Sequence, residues 1–250
     1  MNWNSWNSIV EKVKPYIVKI ETPAGSGTGF LCFYNENKNW CGIATALHVV
    51  RDADDWQQPI KIIPQSFDEI FLKESERVIY SDYKTDSAII LFKKPVQTPF
   101  PDDVIPLQPI DKPLDIGFDV GWLGFPYIEP YVLCFFSGCI SARREDRKAY
   151  LIDGVSINGV SGGPVFYSTE TDGVKIIGIV SAYQANRATG STLPGLLIAQ
   201  DVSHFHGVIQ YVKSIDEARK KKQELKEEKI DKAGASSSIA DPEPSTNSAN

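Results

Sequence analysis

The chain has 250 residues, 42% of them hydrophobic, and a formal net charge of −6. This length holds one or two domains with a real core, and the composition is that of a soluble globular protein. The acidic balance and the lack of a basic, aromatic-laced patch argue against nucleic-acid binding, and no apolar run is long enough to span a bilayer.

Taken in chain order, Trp3, Trp6, Ile9, Val10 and Val13 recur at helical spacing, which predicts a short amphipathic helix over residues 1–15, packed on the core and stopped by Pro15. Runs rich in Val, Ile, Tyr and Phe, broken by Gly, Pro and Asn, then predict an all-β body. His48 lies in the β-rich run Ile43 to Val50, beside acidic residues, and Asp86 stands at the mouth of the apolar strand Ala88 to Phe92. Residues 93–115 carry prolines at 95, 99, 101, 106, 109 and 113, so they cannot continue a central strand and read as a connector. Apolar segments follow at Tyr150 to Ile157 and Val174 to Tyr183, and between them lies the turn Gly159-Val160-Ser161-Gly162-Gly163-Pro164. Asp201 to Ser203 are expected to cap a helix running past Val212, whose charged continuation over 213–232 should project into solvent or dissolve. Residues 233–250, rich in Ser, Ala, Pro and Asn, read as disordered.

A serine hydroxyl is a weak nucleophile at neutral pH, so Ser161 matters only if a base reaches it. His48, Asp86 and Ser161 supply base, base-orienter and nucleophile in one of the chain orders in which the serine triad recurs. The glycines fit the same chemistry, since a turn with little side-chain bulk lets the backbone N–H groups of Gly159 and Ser161 face a developing oxyanion. Among rival residues, His204 and His206 fall at a helix start and read as structural. Asp82, Asp52, Asp54 and Asp55 compete with Asp86 for the carboxylate position.

These motifs resemble those of trypsin-like, chymotrypsin-fold serine proteases. Gly25 to Leu31 (GSGTGFL), Val120 to Pro126 (VGWLGFP), Ser137 to Ala142 and Ile177 to Ser181 sharpen the similarity toward the bacterial HtrA/Deg protease domain. The resemblance covers roughly residues 16–210 and implies two six-stranded antiparallel β-barrels, about 16–95 and about 116–205, inside a protease domain spanning 16–212. It favours Asp86 as the carboxylate. It implies that Ser181, Ala182 and Tyr183 pair with a substrate backbone as an added strand, and that Val155, with Ser156 beside it, lies at the base of the primary pocket, narrowed by Tyr183. The expected activity is serine endopeptidase, cutting after small or aliphatic residues in proteins or peptides. The alternative is a catalytically idle protease fold that binds peptides or partners; an esterase using the same site is a third reading. No PDZ-like domain fits after Gln210, so regulation falls to a partner engaging the terminal extensions, or to restricted access.

Cys134 and Cys139 lie on one predicted strand, about 16 Å apart at the usual rise per residue, too far for a mutual disulfide. Cys32 and Cys41 flank a turn, and a bridge between them stays open. The N-terminus lacks the pattern of a secretory signal, so the four cysteines read as reduced and the protein as cytoplasmic. With no Cys-x-x-Cys pair and no companions to His204 and His206, neither a metal nor a cofactor is expected.

Overall fold

The extended segments are mostly buried along much of their length, and each closes its backbone hydrogen bonds with a neighbour antiparallel to it. The computed structural model describes the backbone of residues 6–65, 69–96, 100–155, 157–185 and 192–237, and side chains there except at 182–185, 192–194 and 229–237. The chain divides into two units, 1–210 and 211–250. The first holds the sheets; the second, where described, is the outer part of a helix, α3 (Ser203–Ser237). That helix runs into the stretch expected to be disordered, where Ala233 and Ala235 favour helix locally.

The first sheet is built from β1 (Ile17–Thr22), β2 (Gly25–Tyr34), β3 (Trp40–Ala46), β4 (Ile60–Pro64), β5 (Ile70–Leu72), β6 (Arg77–Asp82) and β7 (Ser87–Lys93). Their order is β5-β4-β1-β2-β3-β7-β6, so this sheet has seven strands rather than the six expected, and its edges β5 and β6 do not pair with each other. It curls around a core of Val18, Ile20, Leu31, Ile43, Ile62 and Phe92. The helix α2 (Leu47–Asp55) plugs one end with Leu47, Val50 and Ala53. Arg77, almost fully buried, donates to the carbonyls of Leu72, Ala53 and Gln58, tying the end of α2 to the sheet.

The second sheet is a closed six-stranded barrel, in the order β10-β13-β12-β11-β8-β9. Its strands are β8 (Asp119–Gly124), β9 (Cys134–Arg144), β10 (Ala149–Asp153), β11 (Pro164–Thr169), β12 (Gly173–Ala185) and β13 (Thr192–Asp201). Trp122, Tyr150, Ile152, Val165, Ile177 and Leu197 fill it. The proline-rich connector meets this barrel through a bridge between Leu107 and Ile176, through Gln108, which accepts the Tyr167 hydroxyl, and through Leu114, whose N–H donates to the Tyr150 hydroxyl. The N-terminal helix α1 (Trp6–Val13) buries Ile9 and Val13, and Trp6 stands 5.3 Å from the ring of Phe135; Pro15 falls in the 3-10 turn that ends the helix. Asp201 caps α3 by accepting the N–H of Ser203, and Phe205 packs edge-on to Phe30. Among the described residues no helix is long and apolar enough to cross a membrane.

Candidate active site

His48 is not on a strand. The β-rich run stops at Ala46, and His48 sits in the first turn of α2. The first N–H groups of a helix have no partner within it. Here Asp86 supplies two acceptors from another segment: its carbonyl takes the N–H of Leu47 at 2.9 Å and its Oδ1 takes the N–H of His48 at 3.0 Å. The carboxylate also gains from the positive end of the helix dipole. The helix start and the pairing of His48 with Asp86 are therefore one event.

Asp86 is presented by a tight turn and itself has φ +47°, a left-handed conformation that Asp tolerates better than most residues. The turn is held by Asp82, whose two carboxylate oxygens accept the Lys84 N–H and the Thr85 hydroxyl, both at 2.9 Å. Asp82 thus supports the turn from which Asp86 projects, 2.8 Å from His48 through Oδ2 to Nδ1. The same oxygen accepts the Ser181 hydroxyl at 2.6 Å. Burial works to raise the Asp86 pKa, but the hydrogen bonds from His48 and Ser181 and the charge of His48 outweigh it, holding the carboxyl below its ordinary value.

Ser161, half-buried, shares one cleft with His48. Thr22, Ala24, Gly25, Ser26, Val49, Asp52, Tyr127, Asn158 and Gly159 complete the lining, around about 210 Å³. Among the described residues no hydrogen bond joins the Ser161 hydroxyl to the His48 ring; such contacts are often long before substrate binds.

The turn before Ser161 has a definite form. Val160 donates to the Ile157 carbonyl at 3.1 Å, and Gly159 at the third position has φ +94° while Asn158 keeps a negative φ, the type II pattern. Each carbonyl from 157 to 161 is then taken: Ile157 by the Val160 N–H, Asn158 by the Tyr127 N–H, Gly159 by the Thr28 hydroxyl, Val160 by the Gly163 N–H and Ser161 by the Thr28 N–H. The N–H groups of Gly159 and Ser161 have no acceptor among the described residues. Since the Asn158–Gly159 peptide is trans, its N–H points away from the bond that Tyr127 makes to its carbonyl. Buried donors are nearly always paired, so two free ones lining a cleft beside a serine stand available to an acceptor that enters it.

Gly162 follows with φ +84°, and a Cβ there would collide with the Thr28 carbonyl. Gly162→Ala should destabilise the fold by at least about 1–3 kcal/mol from backbone strain alone, read as a lower urea midpoint.

Of the other sequence-named residues, Val155 is 52% exposed, and Ser156 lies outside the described residues. Ser181, Ala182 and Tyr183 lie on β12, where the side chains of Ala182 and Tyr183 are not described. On one side β12 pairs with β13 through Ala185; on the other its pairing with β11 ends at Ile179, followed by bonds from Val180 to Gly162 and Gly163. From Ser181 onward that second edge has no strand partner among the described residues. His204 and His206 contact the carbonyls of Tyr80 and Gln108, away from the cleft. The sequence does not single out Thr28 or Tyr127, and it points to Ser181 as a substrate-pairing residue without indicating its bond to Asp86. Only the GSGTGF motif pointed near the first.

No protein-family model matches the sequence, and no curated protein matches it. Solved structures do. The serine endoprotease from Yersinia pestis superposes with a TM-score of 0.60 at 21% identity, over 86% of this chain and 68% of that one. An inactive, serine-to-alanine form of Rv3671c from M. tuberculosis H37Rv gives a TM-score of 0.57 at 17% identity, over 83% of this chain and 91% of that one. With a closed antiparallel barrel, a curled partner sheet and these neighbours, the chain has the chymotrypsin-like fold of trypsin-like serine proteases.

Proposed function

We propose that the chain is a serine endopeptidase working through His48, Asp86 and Ser161. The observation that carries this reading is the pair of free N–H groups, Gly159 and Ser161, in the cleft that also holds His48 and the Ser161 side chain. With Nδ1 engaged by Asp86, the ring's Nε2 is left to take the Ser161 proton as Oγ attacks a peptide carbonyl. The carbonyl oxygen, now negative, is stabilised by the two N–H groups. The imidazolium returns its proton to the leaving amine, and water, activated by the same ring, hydrolyses the acyl-enzyme. Asp86 holds the ring's tautomer throughout. The unpaired edge of β12 at Ser181 suits a substrate backbone added as a strand.

The test is labelling with a fluorophosphonate, with the modified residue located by mass spectrometry. Labelling at Ser161 supports the reading. No labelling of the folded protein supports instead the idle, peptide-binding fold.

For selectivity, we assign Val155 and Ser156 to the base of the primary pocket. A lysine or arginine would lie there without a countercharge, which costs more than burying its methylenes returns. A peptide-library digest should show cuts after Val, Ala or Leu and few after Lys or Arg; a digest dominated by basic residues would overturn the pocket assignment. The spread among aliphatic residues should be broad, since one methylene changes selectivity by only about 1–3 kcal/mol. All four cysteines are free, and burial pushes the thiols of Cys32 and Cys41 upward in pKa, which makes both poor nucleophiles. We assign the protein to a reducing, cytoplasmic setting.

A further inference from the structure

We propose that Thr28, on a strand of the first sheet, is the positioning residue that keeps the second barrel's anion-binding turn in its productive form. The proposal rests on the hydrolytic reading above and deepens it. Thr28 is fully buried and engages four partners. Its N–H donates to the Ser161 carbonyl at 2.8 Å and its carbonyl accepts the Thr45 hydroxyl at 2.7 Å. Its Oγ1 accepts the Phe125 N–H at 3.0 Å and donates to the Gly159 carbonyl at 2.9 Å. The direction of these last two bonds is forced, because an amide N–H can only donate and a carbonyl can only accept. The single hydroxyl proton is therefore committed to Gly159.

Gly159 makes this contact decisive. Glycine populates positive and negative φ about equally, so residue type alone does not hold the turn at +94°. If the turn changed form, the Asn158–Gly159 peptide would rotate and its N–H would leave the cleft. What selects the observed form is the set of bonds to the turn's carbonyls. Every one of them except the Thr28 hydroxyl comes from the main chain. Among the described residues Thr28 Oγ1 is thus the one side-chain atom that bonds to a carbonyl of this turn. Replacing it by Val keeps the shape but leaves a buried carbonyl and a buried N–H unpaired, the circumstance in which a buried polar group is most costly. Turning the Gly159–Val160 peptide toward another partner relieves that cost, and the change in the Gly159 backbone shifts the turn away from the form that faces its N–H into the cleft.

A positioning role predicts a loss confined to the transition state. The measurement uses a fluorogenic peptide with Ala-Ala-Val before the cleaved bond, and a peptide boronate of the same sequence as a tetrahedral mimic. Thr28→Val should lower kcat about 10- to 100-fold, less than the roughly 10²- to 10³-fold loss on deleting such a donor outright, with KM within about two-fold. Boronate affinity should fall by the same factor as kcat. Thr28→Ser, which keeps the hydroxyl, should stay within about three-fold of the parent on all three measures. If Thr28→Val does not fold, Thr28→Ala removes the same hydroxyl without its bulk and should show the same split. A Val or Ala variant with unchanged kcat and boronate affinity, or with a loss entirely in KM, overturns the proposal, as does failure of both to fold. Fluorophosphonate labelling of the parent separates the two readings: an unlabelled parent removes the hydrolytic reading, whereas a labelled parent with an insensitive Thr28 removes only this one.

Discussion

Replacing Ser161 by Ala should lower peptide hydrolysis by about 10⁴-fold or more while leaving the urea midpoint close to that of the parent. The hydroxyl makes no hydrogen bond among the described residues, so removing it leaves no buried partner unpaired, and the loss belongs to the chemistry alone. His48→Ala should match it in magnitude, because nucleophile and base act as a unit. The double variant should then be little worse than either single one. Stopped assays on purified, folded variants are sufficient. Hydrolysis by Ser161→Ala at the parent's rate would remove Ser161 from the mechanism.

Asp86→Asn should cost about 10⁴-fold in kcat with the fold retained, by a different route. An amide can turn its NH₂ toward Nδ1, which stabilises the tautomer protonated on Nε2, and that ring cannot accept the serine proton. The substitution also carries a stability signature. Folding holds the Asp86 carboxyl below its ordinary pKa, so the folded state binds that proton less readily than the unfolded chain. The resulting stabilisation is fully present above the unfolded carboxylate value, about 3.9, and is lost as pH falls through the lower folded value. Acid unfolding should therefore be shallower in Asp86→Asn than in the parent below about pH 4. Measured against pH by urea denaturation, an identical acid limb in both proteins would show that the carboxylate is not held by His48 and Ser181.

Much of this was legible in the residues. The alternation of β-branched and aromatic segments with Gly and Pro punctuation is a local property of strands, and it indicated the all-β class. Helical spacing marked out α1, and Asp201 declared itself as the cap of α3. The glycines around Ser161 were informative because positive φ is a demand that few other residue types meet. The setting of His48 is not legible in this way, since it lies in α2 and not in the β-rich run its neighbours suggest. Leu47 and Val50 suit a strand as well as a helix, and what starts the helix there is Asp86, 38 positions on in sequence.

The chain by itself therefore determined which residue types could do chemistry and which segments would be strands, since both follow from side-chain identity and short-range periodicity. The tertiary structure decided how they meet. The seven-strand, unclosed form of the first sheet depends on which edges find partners. The Ser181 hydroxyl reaches Asp86 across 95 positions, and the Thr28 hydroxyl reaches Gly159 across 131. The orientation of the peptide that frees the Gly159 N–H depends on the backbone of Tyr127, a donor that any residue but proline would carry. Contacts of that kind leave no local pattern, because a main-chain hydrogen bond between distant segments depends on where the backbone passes and hardly at all on which side chain it bears.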